Sequence, residues 1–149
     1  MTSQTTLTDE IGRMVRESCM CLHLQRTART VGRRYDAALR PLGLSNGQFS
    51  LMVALVRPVP LTVGALAAEL GMDRTTLTAN LKPLRARGLV LVAIDRADRR
   101  NRAVSLTAAG RALLEQALPV WYRVQAEVIA QPNPMPAANL RRALRALAP

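Results

Sequence analysis

Apolar and small residues recur at Cys21, Leu24, Ala28, Val31, Tyr35, Ala38 and Leu42, in steps that alternate three and four. Such steps keep to one face of an α-helix. They predict a long helix over about residues 9–42 whose seam packs along another helix. Gly43 ends it. Ser45 followed by Gln48 is a capping-box pattern, and it opens a second helix carrying Phe49, Met52, Val53 and Val56. The segment Arg57-Pro58-Val59-Pro60 closes that helix.

Thr62 caps a short helix predicted over 63–70, Gly71-Met72 forms a tight turn, and Asp73 opens the next helix. There Leu77, Leu81 and Leu84 step by four and three and mark the buried side. Arg74, Thr75, Thr78, Ala79 and Lys82 are thereby turned to other faces, mostly outward. Pro83 lacks a backbone donor and is expected to bend this helix near its end or confine its regular part to the first turns. Residues 89–94 then read as a buried strand and 102–106 as its return, joined by a charged loop from Asp95 to Asn101. Thr107 caps a last long helix along which Leu113, Leu114, Ala117, Leu118, Trp121, Val124 and Val128 recur, with a kink expected at Pro119. After a break over 131–136, a short helix carries Leu140, Leu144 and Leu147 on one side and Arg141, Arg142 and Arg145 on the others. The fold class is mainly α with a small β-hairpin wing, that is, a helix-turn-helix followed at once by a hairpin.

Composition narrows the partners. The chain has 149 residues, enough for one domain with helical extensions, and 49% of them are apolar, enough for a real core. Its 21 basic residues outnumber 10 acidic ones for a net charge of +11, and all but Lys82 are arginine. That excess suits a polyanion. The four aromatic residues, Tyr35, Phe49, Trp121 and Tyr122, are too few to stack unpaired bases, which leaves duplex DNA. Apolar runs reach six residues, far short of the roughly 20 that cross a bilayer. Residues 1–10 lack a signal-peptide pattern, so a cytoplasmic location with reduced thiols is expected. An enzyme is not expected: there is one histidine, no glycine-rich phosphate loop and no nucleophile with a base, and neither a cofactor nor a metal is implied.

The run from Leu66 to Thr78, followed by Arg87-Gly88-Leu89-Val90, Asp95, Asp98-Arg99-Arg100 and Val104-Ser105-Leu106-Thr107-Ala108-Ala109-Gly110, resembles the MarR family of bacterial transcription regulators. The pieces stand in family order and spacing. The resemblance implies a homodimer that presents two winged helices to a pseudo-palindromic operator, more often as a repressor than as an activator. Physical reasoning points the same way, because the first and last helices carry apolar seams that a monomer of this size cannot cover. The implied organisation is a dimerisation helix over 1–45, a winged helix-turn-helix over 46–106 and dimerisation helices over 107–149. Thr75, Thr76, Thr78, Ala79 and Lys82 would then face the major groove, with Arg74 or Lys82 on phosphates. Family members often carry arginine where Ala79 stands. Asp98 can orient the guanidinium of Arg99 or Arg100, and by resemblance one of these arginines enters the minor groove. Two other accounts stand beside this one: a solvated hairpin tip with local ion pairs, and a winged-helix module that docks proteins without reading DNA.

Regulators of this type respond to a small molecule or an oxidant. Cys21 and Tyr35 have the fourteen-residue spacing of the hydroperoxide-sensing branch. That is about 21 Å along one helix, so the pair can meet only across a dimer. Where that branch has a second tyrosine, this chain has Asn46. A sulfenic acid on Cys21 would be resolved by small thiols or by Cys19 of another chain, since two residues apart on one helix prevents direct pairing. Cys21 equally suits the seam as a small apolar residue. Cys19 and His23 stand four apart and could hold a soft metal, but two ligands are too few. A small aromatic or anionic effector remains open, with Arg26, Arg29, Arg33 or Arg34 available to a carboxylate.

Overall fold

The first helical stretch is not continuous. The computed structural model describes residues 6–96, 98–132 and 134–147, and in it α1 (Asp9–Ser18) and α2 (Met20–Leu39) are separated by Cys19. Cys19 has an extended backbone, with φ −68° and ψ 106°. The apolar steps start only at Cys21 and so carried no sign of this break. Pro41 shortens the other end. Lacking an N–H, it helps stop α2 at Leu39, and residues Arg40–Leu42 tighten into a 3-10 turn that Gly43 closes at φ 66°. The single helix predicted over 9–42 is therefore two helices and a turn.

The next three helices follow the predicted caps. Ser45 and Gln48 form the complete capping box of α3 (Asn46–Ala54), which buries Phe49, Leu51 and Met52. Thr62 caps α4 (Val63–Glu69), its hydroxyl accepting from the Ala65 N–H at 3.1 Å. Asp73 caps α5 (Arg74–Ala86), and Leu77, Leu81 and Leu84 are the buried residues of that helix, as their spacing required. The helix runs through Pro83 to Ala86, so its regular part is not confined to the first turns. Removing the Pro83 donor frees the carbonyl of Ala79, an exposed residue, where water can serve.

The hairpin consists of β2 (Val90–Ile94) and β3 (Arg102–Leu106), antiparallel, with Val90 opposite Leu106 and Ile94 opposite Arg102. A strand the sequence did not reveal, β1 (Leu61–Thr62), pairs with β3 through Leu61 opposite Val104 and makes the order β1-β3-β2. Two residues between prolines and a helix cap are too short to show period-two alternation. The long helix α6 (Ala108–Ile129) is one element spanning Pro119, and α7 (Ala137–Leu147) follows.

One core joins all of this. Leu39 of α2, Leu51 and Met52 of α3, Leu66 of α4, Leu77 and Leu84 of α5 and Val104 of β3 are fully buried. Each contributes about 1.5–3 kcal/mol relative to an exposed position. In contrast, α1 and α7 bury no residue at all, and Met14, Val15, Leu140, Leu144 and Leu147 stand exposed along them. The first half of the α2 seam is similarly open at Cys21 and Leu24, whereas Tyr35 and Leu39 are buried. Those apolar stripes are uncovered in the single chain.

The start of α6 lies against the base of the hairpin. A Cβ on Gly110 would sit 2.1 Å from the Leu89 carbonyl oxygen and 2.8 Å from Leu106 Cδ1. The Thr107 hydroxyl is 2.7 Å from the Gly88 carbonyl oxygen and 3.0 Å from that of Leu89, and it accepts from the Gly110 N–H at 3.0 Å. Gly110→Ala is therefore expected to lower stability by roughly 1–3 kcal/mol or more. Denaturant unfolding of the two proteins checks this, with Gly32→Ala, where a Cβ meets nothing within 4 Å, as the comparison.

Candidate nucleic-acid interface

The face that could meet DNA is built on the exposed side of α5. With Leu77, Leu81 and Leu84 held in the core, Arg74, Thr75, Thr76, Thr78, Ala79 and Lys82 are all exposed. Arg74, Thr75, Thr78, Ala79 and Lys82 line one shallow groove along the helix. A larger concavity of about 730 Å³ lies between α5 and the hairpin, lined by Arg74, Lys82, Arg85, Arg100 and Arg102 over a floor that includes Val63, Leu81 and Val92. Among the described residues no acidic side chain lines either surface. Five cations around one opening set a positive potential where a phosphate backbone could lie.

The hydroxyls are not equivalent. Thr76 donates to Asp73 Oδ2 at 2.7 Å while its N–H donates to Oδ1 at 2.8 Å, so its side chain serves the cap. Thr78 donates to the Arg74 carbonyl at 2.7 Å and keeps its lone pairs and methyl group for a neighbour. Thr75 makes no side-chain hydrogen bond among the described residues. Arg74 folds over α4, where a Cβ on Gly64 would lie 3.2 Å from its Nη2.

The hairpin tip differs from the expected arrangement. The Asp98 carboxylate does not hold a guanidinium: Oδ1 accepts from the backbone N–H of Arg100 at 3.0 Å and Oδ2 from the Asn101 side-chain amide at 3.2 Å. A short acidic side chain two residues before an N–H forms an Asx turn more readily than it reaches a neighbouring arginine head. Asp98 thus shapes the turn. Arg99 and Arg100 extend from it, both exposed, and Arg100 with Asn101 and Arg102 walls the concavity. Arg85 and Arg102 were missed as candidates. Lys82 and Arg85 are three apart on one helix, a spacing that could have pointed to Arg85, but the side of β3 taken by Arg102 depends on hairpin register.

The candidate sensing residues lie elsewhere. Tyr35 is buried and donates to Gln125 Oε1 of α6; burial also pushes its hydroxyl above the ordinary value of 10.0. Cys21 is exposed, with its Sγ accepting from Gln25 Nε2 at 3.3 Å. The chain does not bring Cys21 and Tyr35 together. Cys19 is half-buried in the break before α2, so the assumption that both thiols ride one helix does not hold. The His23 ring Nε2 lies 2.9 Å from the Glu17 carbonyl oxygen. No group of three or more metal-ligating side chains occurs among the described residues, and no helix among them is long and apolar enough to cross a membrane.

Two further contacts fix α4 and α5 to their surroundings. The Arg87 guanidinium donates to the Gly43 carbonyl at 2.6 Å and the Leu42 carbonyl at 3.2 Å, tying the end of α5 to the turn after α2. Arg57 Nη2 contacts both Glu69 oxygens, at 2.7 and 3.0 Å, linking the ends of α3 and α4. Asp73, fully exposed, is held below the ordinary carboxylate value of 3.8 chiefly by the Thr76 backbone and hydroxyl donors. Because its folded value is lowered, the stabilisation is present above the unfolded value and is lost as pH falls through the folded one. Asp73→Asn is expected to melt lower than the parent at pH 7, and the gap should close as pH drops from about 4 towards 2. Thermal melts across that range check the sign.

Comparison with known proteins gives a consistent set. A model of the MarR family matches residues 42–101. The chain is 34% identical over 97 residues to the HTH-type transcriptional regulator TtmR of Methylorubrum extorquens, a match covering 65% of this chain and 50% of TtmR. It is 29% identical over 104 residues to the organic hydroperoxide resistance transcriptional regulator of Bacillus subtilis, covering 70% of this chain and 71% of that one. The crystal structure of the M. tuberculosis transcriptional regulator MosR in complex with DNA superposes with a TM-score of 0.78 at 43% identity, over 87% of this chain and 93% of MosR. The match to TtmR thus spans half the length of that regulator, whereas the match to MosR spans nearly all of it.

Proposed function

The chain belongs to the MarR family of transcription regulators, and from that membership we propose that it is a cytoplasmic, homodimeric, sequence-specific binder of double-stranded DNA. It acts as a repressor that a small-molecule ligand or an oxidant releases from a pseudo-palindromic operator. The observation that carries this reading is the continuous cationic surface shared by α5 and the hairpin, with no carboxylate among its lining residues. Thr75, Thr78 and Ala79 are the parts of α5 positioned for base edges, and Lys82, Arg74 and Arg85 for phosphates. Arg100 or Arg99 enters the minor groove in this reading, supported by the exposure of both and by the Asp98 contact that holds the Arg100 backbone. Residues 46–106 form the reading head, and residues 1–45 and 107–149 supply the dimer. The exposed apolar stripes of α1 and α7 support that division. The DNA in the MosR complex favours this reading over a protein-docking module.

Arg100→Ala is expected to weaken operator binding about tenfold and to relax preference at A·T-rich flanks, whereas Lys82→Ala should weaken all sequences alike and reduce the salt slope by about one. Titration of a genomic operator across salt concentrations measures both. Unchanged affinity and unchanged slope for Arg100→Ala would remove its groove role.

An oxidant as the releasing signal is supported by the exposure of Cys21 and by similarity to the hydroperoxide resistance regulator. Attack of the Cys21 thiolate on a hydroperoxide oxygen breaks the O–O bond and, with one proton from solvent, gives a sulfenic acid and an alcohol; a small thiol or Cys19 of another chain then condenses with the sulfenic acid to a disulfide with loss of water. Tyr35, spent on Gln125 within the chain, acts in this scheme only if a partner subunit offers Cys21 to it. Cumene hydroperoxide should release the operator from the parent protein and not from Cys21→Ser. A Cys21 that stays a reduced thiol while the complex persists would exclude the oxidant.

A further inference from the structure

The sequence of α2 holds an unusual charge pattern. Between Glu17 and Asp36 there is no acidic residue, while Arg26, Arg29, Arg33 and Arg34 and the single histidine, His23, all fall in that interval. A helix face of this kind normally carries interspersed carboxylates at three- and four-residue spacing. Here the arginines take uncharged acceptors instead. Arg29 Nη2 reaches Gln25 Oε1 at 3.4 Å, Arg33 Nη2 reaches Thr30 Oγ1 at 3.2 Å, and the Arg34 guanidinium lies against the Gln131 side-chain amide. Among the described residues no carboxylate pairs with Arg26 or Arg34.

These groups enclose a concavity of about 470 Å³ between α2 and the segment that follows α6, lined by His23, Arg26, Thr27, Thr30, Arg34 and Gln131, with Val31 as its apolar member. It is separate from the surface of α5 and the hairpin and shares no residue with it. Two guanidinium groups, two hydroxyls and a carboxamide present many donors, and Val31 is the single apolar side chain among the lining residues. Such a lining fits a compact anion with several oxygens better than an aromatic acid, whose ring needs apolar cover. The size suits a small molecule and not a macromolecular segment.

We infer that the concavity formed by His23, Arg26, Thr27, Thr30, Arg34 and Gln131 is an effector site for a multiply charged oxygen anion, a phosphate ester or a polycarboxylate. The effector role rests on the reading of the chain as a ligand-released regulator; the binding itself does not. Arg26 and Arg34 clamp the anion, Thr27 and Thr30 donate their hydroxyls, and the anion competes with Gln131 for Arg34. Gln131 opens the connection from α6 to α7, so displacing it alters the restraint on α7, whose apolar stripe is exposed in the single chain. An anion held there biases the spacing of the two reading heads through the dimer helices.

The test titrates the full chain, without DNA, with pyrophosphate and separately with citrate at constant ionic strength, using acetate as the singly charged control. Saturable binding of either probe at one per chain, weakened at least tenfold in Arg26→Ala/Arg34→Ala and unchanged in Arg100→Ala, is the expected result. Pyrophosphate alone would identify a phosphate ester as the ligand class, and citrate alone a polycarboxylate. Both arginine positions are exposed, and operator affinity without anion confirms that the double variant is folded. No saturable binding, or a loss that follows Arg100→Ala and not the double variant, overturns the site. In a second arm, saturating anion should change operator affinity threefold or more in the parent and not in the double variant. Binding without that change overturns the effector role and leaves the DNA-reading function standing, whereas anion binding by a chain that selects no operator overturns the regulator reading and leaves the site.

Discussion

The contact on which the rest of the molecule depends is the close approach of α6 to the base of the hairpin. Gly110 has no side chain because the Leu89 carbonyl occupies the space a Cβ would need. Thr107 then spends its N–H and its hydroxyl on the same few atoms, with its N–H donating to the Leu89 carbonyl at 3.1 Å. A backbone held at this range cannot slide or rotate without breaking several hydrogen bonds at once. The hairpin is therefore rigidly attached to a long helix, and the direction in which Arg99 and Arg100 project is set by the course of α6.

A second attachment works from the opposite side. Arg87, at the end of α5, donates to the carbonyls of Leu42 and Gly43 in the turn that ends the α2 segment. Those carbonyls lack partners within the turn, and a guanidinium supplies charge-assisted donors in the geometry they require. Tyr35 of α2 meets Gln125 of α6, closing the circuit between the two long helices. The reading head is thus held by α2 at one end and α6 at the other. A displacement of either long helix moves α5 and the hairpin together, and with them the cationic surface they share.

Charge follows the same division. The cations around α5 and the hairpin face outward over a floor of Val63, Leu81 and Val92, with Arg100 presented by a turn that Asp98 locks. The cations of α2 surround a different concavity. Net charge of +11 attracts any polyanion, and it is divided between two separate surfaces with different walls. The apolar stripes of α1 and α7 lie on neither surface.

Much of this could be read from sequence because caps and periodic apolar positions act locally. Ser45 with Gln48, Thr62, Asp73 and Thr107 each open a helix as predicted, and Leu77, Leu81 and Leu84 alone oriented α5, because side-chain direction follows from helical geometry. The resemblance carried by Arg87-Gly88, Asp98-Arg99-Arg100 and Leu106-Thr107 through Gly110 supplied the family. What needed tertiary structure was everything set by contacts between distant segments. The break at Cys19 interrupts no apolar step, and β1 exists only because β3 lies beside it. Asp98 was free, by spacing alone, to hold either a guanidinium or a backbone N–H, and the turn decided for the backbone. Arg85 and Arg102 join the cationic surface because the hairpin folds back over α5, and Tyr35 meets Gln125 ninety residues away because α2 and α6 pack together. Sequence determined which residues could contribute; chain reversal and packing decided which of them stand side by side, since that choice is made by through-space forces that local periodicity does not encode.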